Sequence, residues 1–133
     1  MLRYLDVRSR TRTEMIDITS LVQEQVRAAN ARSGVCNLFV LHTTAGLTIN
    51  EGADPAVQRD MMTFLNRLVP LDPYFTHAEG NSDAHIKSTL TGTSLSVFIS
   101  EGKLLLGTWQ SIYLCEFDGP RPRRVAMKLC VDG

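Results

Sequence analysis

Residue types suited to proton and ligand chemistry gather in three stretches of this chain. These are His42 with Thr43 and Thr44; the segment His77 to His85, which also holds Glu79, Asn81 and Asp83; and the run from Gly107 to Arg121 with Gln110 and Glu116. Histidine titrates near neutral pH and is the commonest metal ligand. His77 and His85 are separated by a turn-rich stretch, so the chain can fold back and bring both rings together, while His42 arrives at the end of an apolar strand. Three imidazoles with an open fourth position suit Zn²⁺ in the tetrahedral geometry of a catalytic site. The spacing matches no strict metal pattern, so three separately hydrogen-bonded histidines stand beside the metal reading.

Carboxylates lie close by. Glu51 closes a short strand next to Gly52, where a rigid backbone can aim it into a cleft as a general acid or base. Asp83 suits the same chemistry, but equally the first turn of a helix. Thr43 and Thr44 offer hydroxyl and N–H groups, and Lys87 with Arg121 would hold an anionic substrate beside a metal. In the strand opened by Gly107, Gln110 and Glu116 share a face with Ile112 and Leu114, so at least one needs a polar partner at the core edge. Arg121, Arg123 and Arg124 follow the Gly119-Pro120 turn; a phosphate or carboxylate ligand, and arginines that are simply solvated or paired with Glu116 and Asp118, fit equally well. No GxxxxGKS/T, GxGxxG or GxSxG occurs, which leaves nucleotide loops and serine-hydrolase elbows without support.

Positioning these groups falls to elements that the pattern predicts. Leu2 to Ile18 reads as two strands joined by a loop or loose hairpin. A helix capped by Thr19 or Ser20 follows and ends at Gly34. Val35 to Thr43 is nearly all apolar, as in a strand covered on both faces, and a short strand spans Leu47 to Asn50. Asp54-Pro55 starts a second helix with an apolar stripe of Val57, Met61, Phe64, Leu65 and Leu68. Leu71 to Asn81 is a loop, and a short third helix starts near Ser82 or Asp83 and ends by Gly92. From Ser94 onward the chain reads as an antiparallel meander.

The length of 133 residues is one domain's worth, with no repeat or linker, so residues 1–133 are expected to form a single domain. Lys+Arg and Asp+Glu balance at 14 each, which argues against a nucleic-acid or anionic-membrane binder. Cys36, Cys115 and Cys130 read as reduced core thiols. No apolar run approaches the ~20 residues of a membrane span, and the first residues lack a signal-peptide layout, so the expected location is cytoplasmic.

Four ordered blocks resemble the YjbQ-like family, often labelled secondary thiamine-phosphate synthase. They are His42-Thr43-Thr44-Ala45-Gly46-Leu47-Thr48-Ile49-Asn50-Glu51, Asn81-Ser82-Asp83-Ala84-His85-Ile86-Lys87, Gly107-Thr108-Trp109-Gln110-Ser111-Ile112 and Glu116-Phe117-Asp118-Gly119-Pro120-Arg121. The resemblance implies an α+β, β-sandwich-like subunit with two main helices and a short third, assembled as a homotrimer. It also implies a polar pocket of His42, His77, His85, Glu51, Asn81, Asp83, Gln110 and Arg121, completed by a neighbouring subunit. The associated activity joins hydroxymethylpyrimidine diphosphate to thiazole phosphate with loss of pyrophosphate. The expectation is a metal-assisted enzyme acting on a phosphorylated small molecule. His42, His77 and His85 would hold zinc, Glu51 would be acid/base, and magnesium is the alternative ion because diphosphate departure favours oxygen-bound cations. A non-catalytic trimeric metal- or small-ligand-binding protein is the competing expectation.

Overall fold

The computed structural model describes residues 1–133. The chain runs β1 (Leu2–Arg8), β2 (Glu14–Asp17), α1 (Thr19–Ala28), β3 (Gly34–Val40), β4 (Ala45–Glu51), α2 (Pro55–Leu68), α3 (Ser82–Thr91), β5 (Ser94–Ser100), β6 (Lys103–Leu104), β7 (Gln110–Glu116) and β8 (Pro122–Val131). The strands form a five-stranded sheet in the order β1-β8-β3-β5-β6 and a three-stranded sheet in the order β2-β7-β4, with every pairing antiparallel. This is an α+β, β-sandwich-like fold with three helices.

Alternation assigns the layers. Leu5, Val7, Cys36, Leu38, Val40, Val125, Met127 and Leu129 point inward from the larger sheet and meet Leu47, Ile112 and Leu114 of the smaller one, with Val22 and Val26 of α1 closing the same core. Residues so enclosed gain ~1.5–3 kcal/mol each for a full-sized aliphatic side chain, and truncating Leu114 to alanine should cost ~2–5 kcal/mol. On its other face the smaller sheet turns Tyr113 and Cys115 toward Met62 of α2 and Ala84 of α3. Apolar on both faces, β7 has to be the central strand.

That two-faced character explains why the C-terminal third is not a meander. β5 and β6 form a hairpin, but β7 crosses into the other sheet, and β8, polar on alternate residues, returns to lie between β1 and β3. β1 and β2 likewise join different sheets and make no hairpin. β3 is covered on one face only: Cys36, Leu38 and Val40 are buried while Phe39 is 49% exposed. The stripe on α2 is also shallower than its spacing implies, since Phe64 and Leu68 face solvent and Met62 is the buried anchor. Asp54 does cap that helix, accepting from the Ala56 N–H at 2.9 Å. α1 carries no side-chain cap and ends at Ala28, followed by Asn30 at φ 52°. Gly34 instead opens β3 at φ 151°, where a Cβ would collide with the Cys130 carbonyl. Of the cysteines, Cys36 and Cys115 are buried and Cys130 is exposed, because it lies on the outward-facing side of β8.

Candidate active site

β3 and β8 run side by side up to Val40 and Val125, and the Leu41 N–H continues the ladder to the Arg124 carbonyl at 3.1 Å. The next bond is made by a side chain, for the Arg124 N–H donates to His42 Nε2 at 2.8 Å. A nitrogen that accepts has no proton, so the neutral ring carries its proton on Nδ1, which is left to donate. Burial, then the nearby Arg123, holds the His42 imidazole below its ordinary range; Arg121 acts in the same sense and Glu116 opposes.

α3 supplies the facing wall. Its last turn packs on the start of β4, with Ser88 Oγ donating to the Ala45 carbonyl at 2.8 Å and the Leu47 N–H to the Gly92 carbonyl at 3.0 Å. Gly46 makes that approach feasible, because a Cβ there would strike Thr91 and the Gly92 carbonyl. One turn earlier, His85 faces the His42–Thr44 segment across a cavity of about 460 Å³ that Thr43, Thr89 and Thr93 also line. A second cavity of about 410 Å³ shares His42, Thr43 and His85 and adds Thr44, His77, Glu79, Asn81, Arg121 and Arg123. Together they make one polar cleft. The loop between α2 and α3 brings His77 edge-on to His85, ring centroids 5.4 Å apart and planes at 90°.

Beneath the cleft lies an ion pair that excludes water. Arg123 Nε donates to Glu116 Oε1 at 2.8 Å, and its Nη2 donates to Glu116 Oε2 and to Thr44 Oγ1. Ser9 Oγ donates to Glu116 Oε1 at 2.6 Å, and the Asp118 N–H to Oε2 at 2.9 Å. Burial alone would raise the Glu116 carboxyl, but the hydrogen bonds from Arg123, Ser9 and the Asp118 amide hold it below its ordinary range. The pair fixes Thr44 and so the turn that presents His42 and Thr43. Glu116 lies on the face of β7 that it shares with Ile112 and Leu114, and Arg123 reaches it from β8, which realises the pairing of the arginines with Glu116 that the sequence allows.

Arg121 is the accessible cation, its side chain 48% exposed with one bond at 3.1 Å to Asp118. Asp118 also accepts from Asn81 Nδ2 at 2.7 Å, which fixes the orientation of that amide and leaves Asn81 Oδ1, buried, with no partner. Asn81 stands at the N-terminus of α3 yet makes no side-chain cap bond.

The remaining expected residues lie elsewhere. In the β4–β7 register, Ala45 pairs with Glu116 at the histidine end and Glu51 with Gln110 at the other; at ~3.3 Å per residue the two ends are roughly 20 Å apart. There Glu51 accepts from the Ala53 N–H at 2.7 Å and Gln110 from the Gly107 N–H at 2.8 Å. Asp83 and Lys87 occupy a different face of α3 from His85. Asp83 is paired bidentately with Arg12 at 3.1 Å, and Lys87 lies 3.4 Å from the same carboxylate. Within one copy the cleft therefore unites His42, Thr43, Thr44, His77, Asn81, His85 and Arg121, but not Glu51, Gln110, Asp83 or Lys87.

As a three-ligand metal set the imidazoles do not fit an ion as placed. His42 Nε2 is occupied by the Arg124 N–H and its Nδ1 carries the proton, so neither nitrogen offers a free lone pair. No group of three His, Cys, Asp or Glu side chains is arranged to hold one. The cleft can instead donate hydrogen bonds to an oxyanion and pass protons through His77 and His85.

A profile of the UPF0047 protein YjbQ-like family matches residues 3–132. The UPF0047 protein MJ1081 of Methanocaldococcus jannaschii is 47% identical over 99% of this chain and 96% of its own length. YugU of Bacillus subtilis is 45% identical over 97% and 98%. A crystal structure of a YjbQ/UPF0047-family protein from Clostridium acetobutylicum superposes with a TM-score of 0.93 at 45% identity, covering 96% of this chain and 99% of that one. A YbjQ-like protein of unknown function from Sulfolobus solfataricus gives 0.93 at 30% identity, over 99% and 97%. With sequence profile, full-length relatives and backbone in agreement, the chain belongs to the UPF0047 YjbQ-like family.

Proposed function

We propose that the cleft takes the phosphate end of a phosphorylated small molecule and moves protons through its imidazoles, as an enzyme of the thiamine-phosphate-synthase type. The observation that supports this reading is that His42, His77 and His85 line one polar cavity beside Arg121. When pyrophosphate departs, charge grows on its oxygens, and preorganised donors such as Arg121 and the His42 Nδ1–H stabilise it without reorganising. His85, in ring contact with His77, is the group to give or take the proton. Asn81 Oδ1 accepts from a hydroxyl or amine of the ligand.

Glu51 and Gln110 take part only when a second copy brings its far end to the cleft, which is what a homotrimer with shared pockets would do. The outer face of the larger sheet supports such packing. Tyr4, Ala126 and Phe39 lie in one row across β1, β8 and β3, and Tyr4 and Phe39 are about half exposed. No helix is long and apolar enough to cross a membrane, and a cytoplasmic setting goes with the unpaired thiols.

The test is pyrophosphate release from hydroxymethylpyrimidine diphosphate and thiazole phosphate. Turnover that falls ~10²–10⁴-fold in His85→Ala supports the reading; no release above background with wild-type protein overturns it. A second reading, favoured by the His77–His85 ring contact, is a trimeric metal- or small-ligand-binding protein. In it two imidazoles seat a divalent ion, zinc by ligand type, with magnesium the alternative where substrate oxygens supply the other ligands.

A further inference from the structure

α3 separates two cavities. His85 faces the cleft, whereas Asp83 and Lys87, one turn apart, face a smaller cavity of about 230 Å³ walled by Arg12, Thr13, Asn66 and Pro70. Lys87 is the enclosed charge of this cavity: its side chain is 2% exposed, among the most enclosed in the protein.

The charges around it do not balance. Asp83 is engaged first by Arg12, through two bonds of 3.1 Å, and meets Lys87 Nζ only at 3.4 Å. Asp118 stands 3.8 Å from Arg12 Nε but is matched by Arg121. Two cations thus share one carboxylate, and the enclosed one has the weaker claim on it. Removing an ammonium from water without full compensation is costly, and such charges are ordinarily paired.

Hydrogen-bonding capacity is one-sided in the same direction. Lys87 has three N–H donors and two partners, Asp83 and Asn66 Oδ1 at 2.8 Å. Asp83 accepts three bonds, from Arg12 and Lys87, and Asn66 Oδ1 accepts one, from Lys87. Thr13 Oγ1 accepts from Asn66 Nδ2 at 3.3 Å and keeps its own proton to donate. The cavity offers free donors and net positive charge beside acceptors that are already engaged.

We propose that this cavity is a second binding site, for a small oxyanion of the phosphate type, held by Lys87, Thr13 and Arg12. Its volume admits inorganic phosphate or the phosphoryl end of an ester, two sources of one chemistry. The site is distinct from the histidine cleft, since the two share no lining residue.

Calorimetric titration with inorganic phosphate tests it in a background of His85→Ala with Arg121→Gln and Asp118→Asn, which disables the cleft and removes the Arg121–Asp118 pair as a unit, so that no carboxylate is freed beside Arg12. Phosphate should still bind. Adding Lys87→Met should weaken that binding at least tenfold, and adding Thr13→Val, which leaves every ion pair intact, about threefold with an unchanged circular-dichroism spectrum. Repeating the titration with glycerol phosphate separates the sources: equal affinity assigns the site to phosphoryl groups, and loss restricts it to the free ion. The proposal is overturned if the background variant binds no phosphate, or if neither addition weakens binding. Should Lys87→Met fail to fold, Thr13→Val decides alone. Failure of the proposed function would show instead in the pyrophosphate assay, which does not involve this cavity.

Discussion

The backbone N–H of Arg124 donates to Nε2 of His42 at 2.8 Å, so an imidazole stands where a strand carbonyl would otherwise extend the β3–β8 ladder. Protonating Nε2 would break that bond and put a cation near Arg123 and Arg121, which is why burial and those guanidiniums hold the ring below its ordinary range. A depressed folded value means that the unfolded chain binds the proton more tightly. Stability is therefore fully present above ~6.5, the unfolded imidazole value, and is lost as pH falls through the folded value.

Urea denaturation between pH 8 and pH 5 should show this loss in wild-type protein. His42→Asn, whose amide oxygen can still accept from Arg124, should flatten that step, and His42→Ala should flatten it and lower stability by about 1 kcal/mol throughout. An unchanged step in both variants would contradict the assignment.

Glu116 and Arg123 are the second lever. Glu116→Ala leaves an enclosed guanidinium without its carboxylate and should cost ~3–5 kcal/mol, well beyond the loss expected from a surface pair. The Glu116 and Asp83 carboxyls are both held low, burial opposing and their cationic partners prevailing. Their contribution should be intact above the ordinary carboxylate range of ~4 and lost below it. Thermal melts of the variant and of wild type down to pH 3 check both statements; a Glu116→Ala cost under ~1 kcal/mol would show that the pair contributes little.

The placement of Glu51 roughly 20 Å along β4 from its histidine end at Ala45 makes oligomer completion measurable. If a neighbour supplies Glu51, then Glu51→Gln and His85→Ala, each nearly inactive alone, should regain about a quarter of wild-type turnover after co-refolding in equal amounts, because random mixing builds that share of intact shared sites. Absence of any recovery in a mixed oligomer would place Glu51 outside the reaction.

Thiol reactivity follows burial. Burial pushes Cys36 up to about 11 and Cys115 up to about 12, whereas Cys130 is exposed. A thiol-specific dye at pH 8 should label Cys130 quickly and the other two only on unfolding; fast labelling of Cys115 would contradict its enclosure between the smaller sheet and α2.

Metal content separates the two functional readings. Protein purified without chelator or affinity resin should carry a divalent ion lost in both His77→Ala and His85→Ala if those rings seat one. Less than ~0.1 equivalent, unchanged in either variant, excludes the metal-binding form of that reading.

Much of this architecture was legible because local signals were strong. Asp54-Pro55 announces α2, and the alternation along β7 requires a polar partner at the core edge for at least one of Gln110 and Glu116, which the structure supplies for Glu116. What failed was long-range pairing. Nothing local tells β1 and β2 to enter different sheets, and the one-sided burial of β3 depends on which partners cover it. The convergence of the histidines was anticipated from the chain folding back between His77 and His85. The separation of Glu51 and Gln110 from them was not, since it follows from the β4–β7 register. Lys87 seemed a substrate ligand because it lies two residues from His85, but a helix turns those positions to different faces.

The central claim is that phosphorylated ligands enter the imidazole cleft. Carbon-detected NMR of the three histidine rings during titration with thiazole phosphate tests it without interference from the Lys87 cavity. The His85 and His77 resonances should move together and saturably, with Arg121→Gln weakening the response about tenfold. Rings that stay unmoved at saturating ligand would contradict the account.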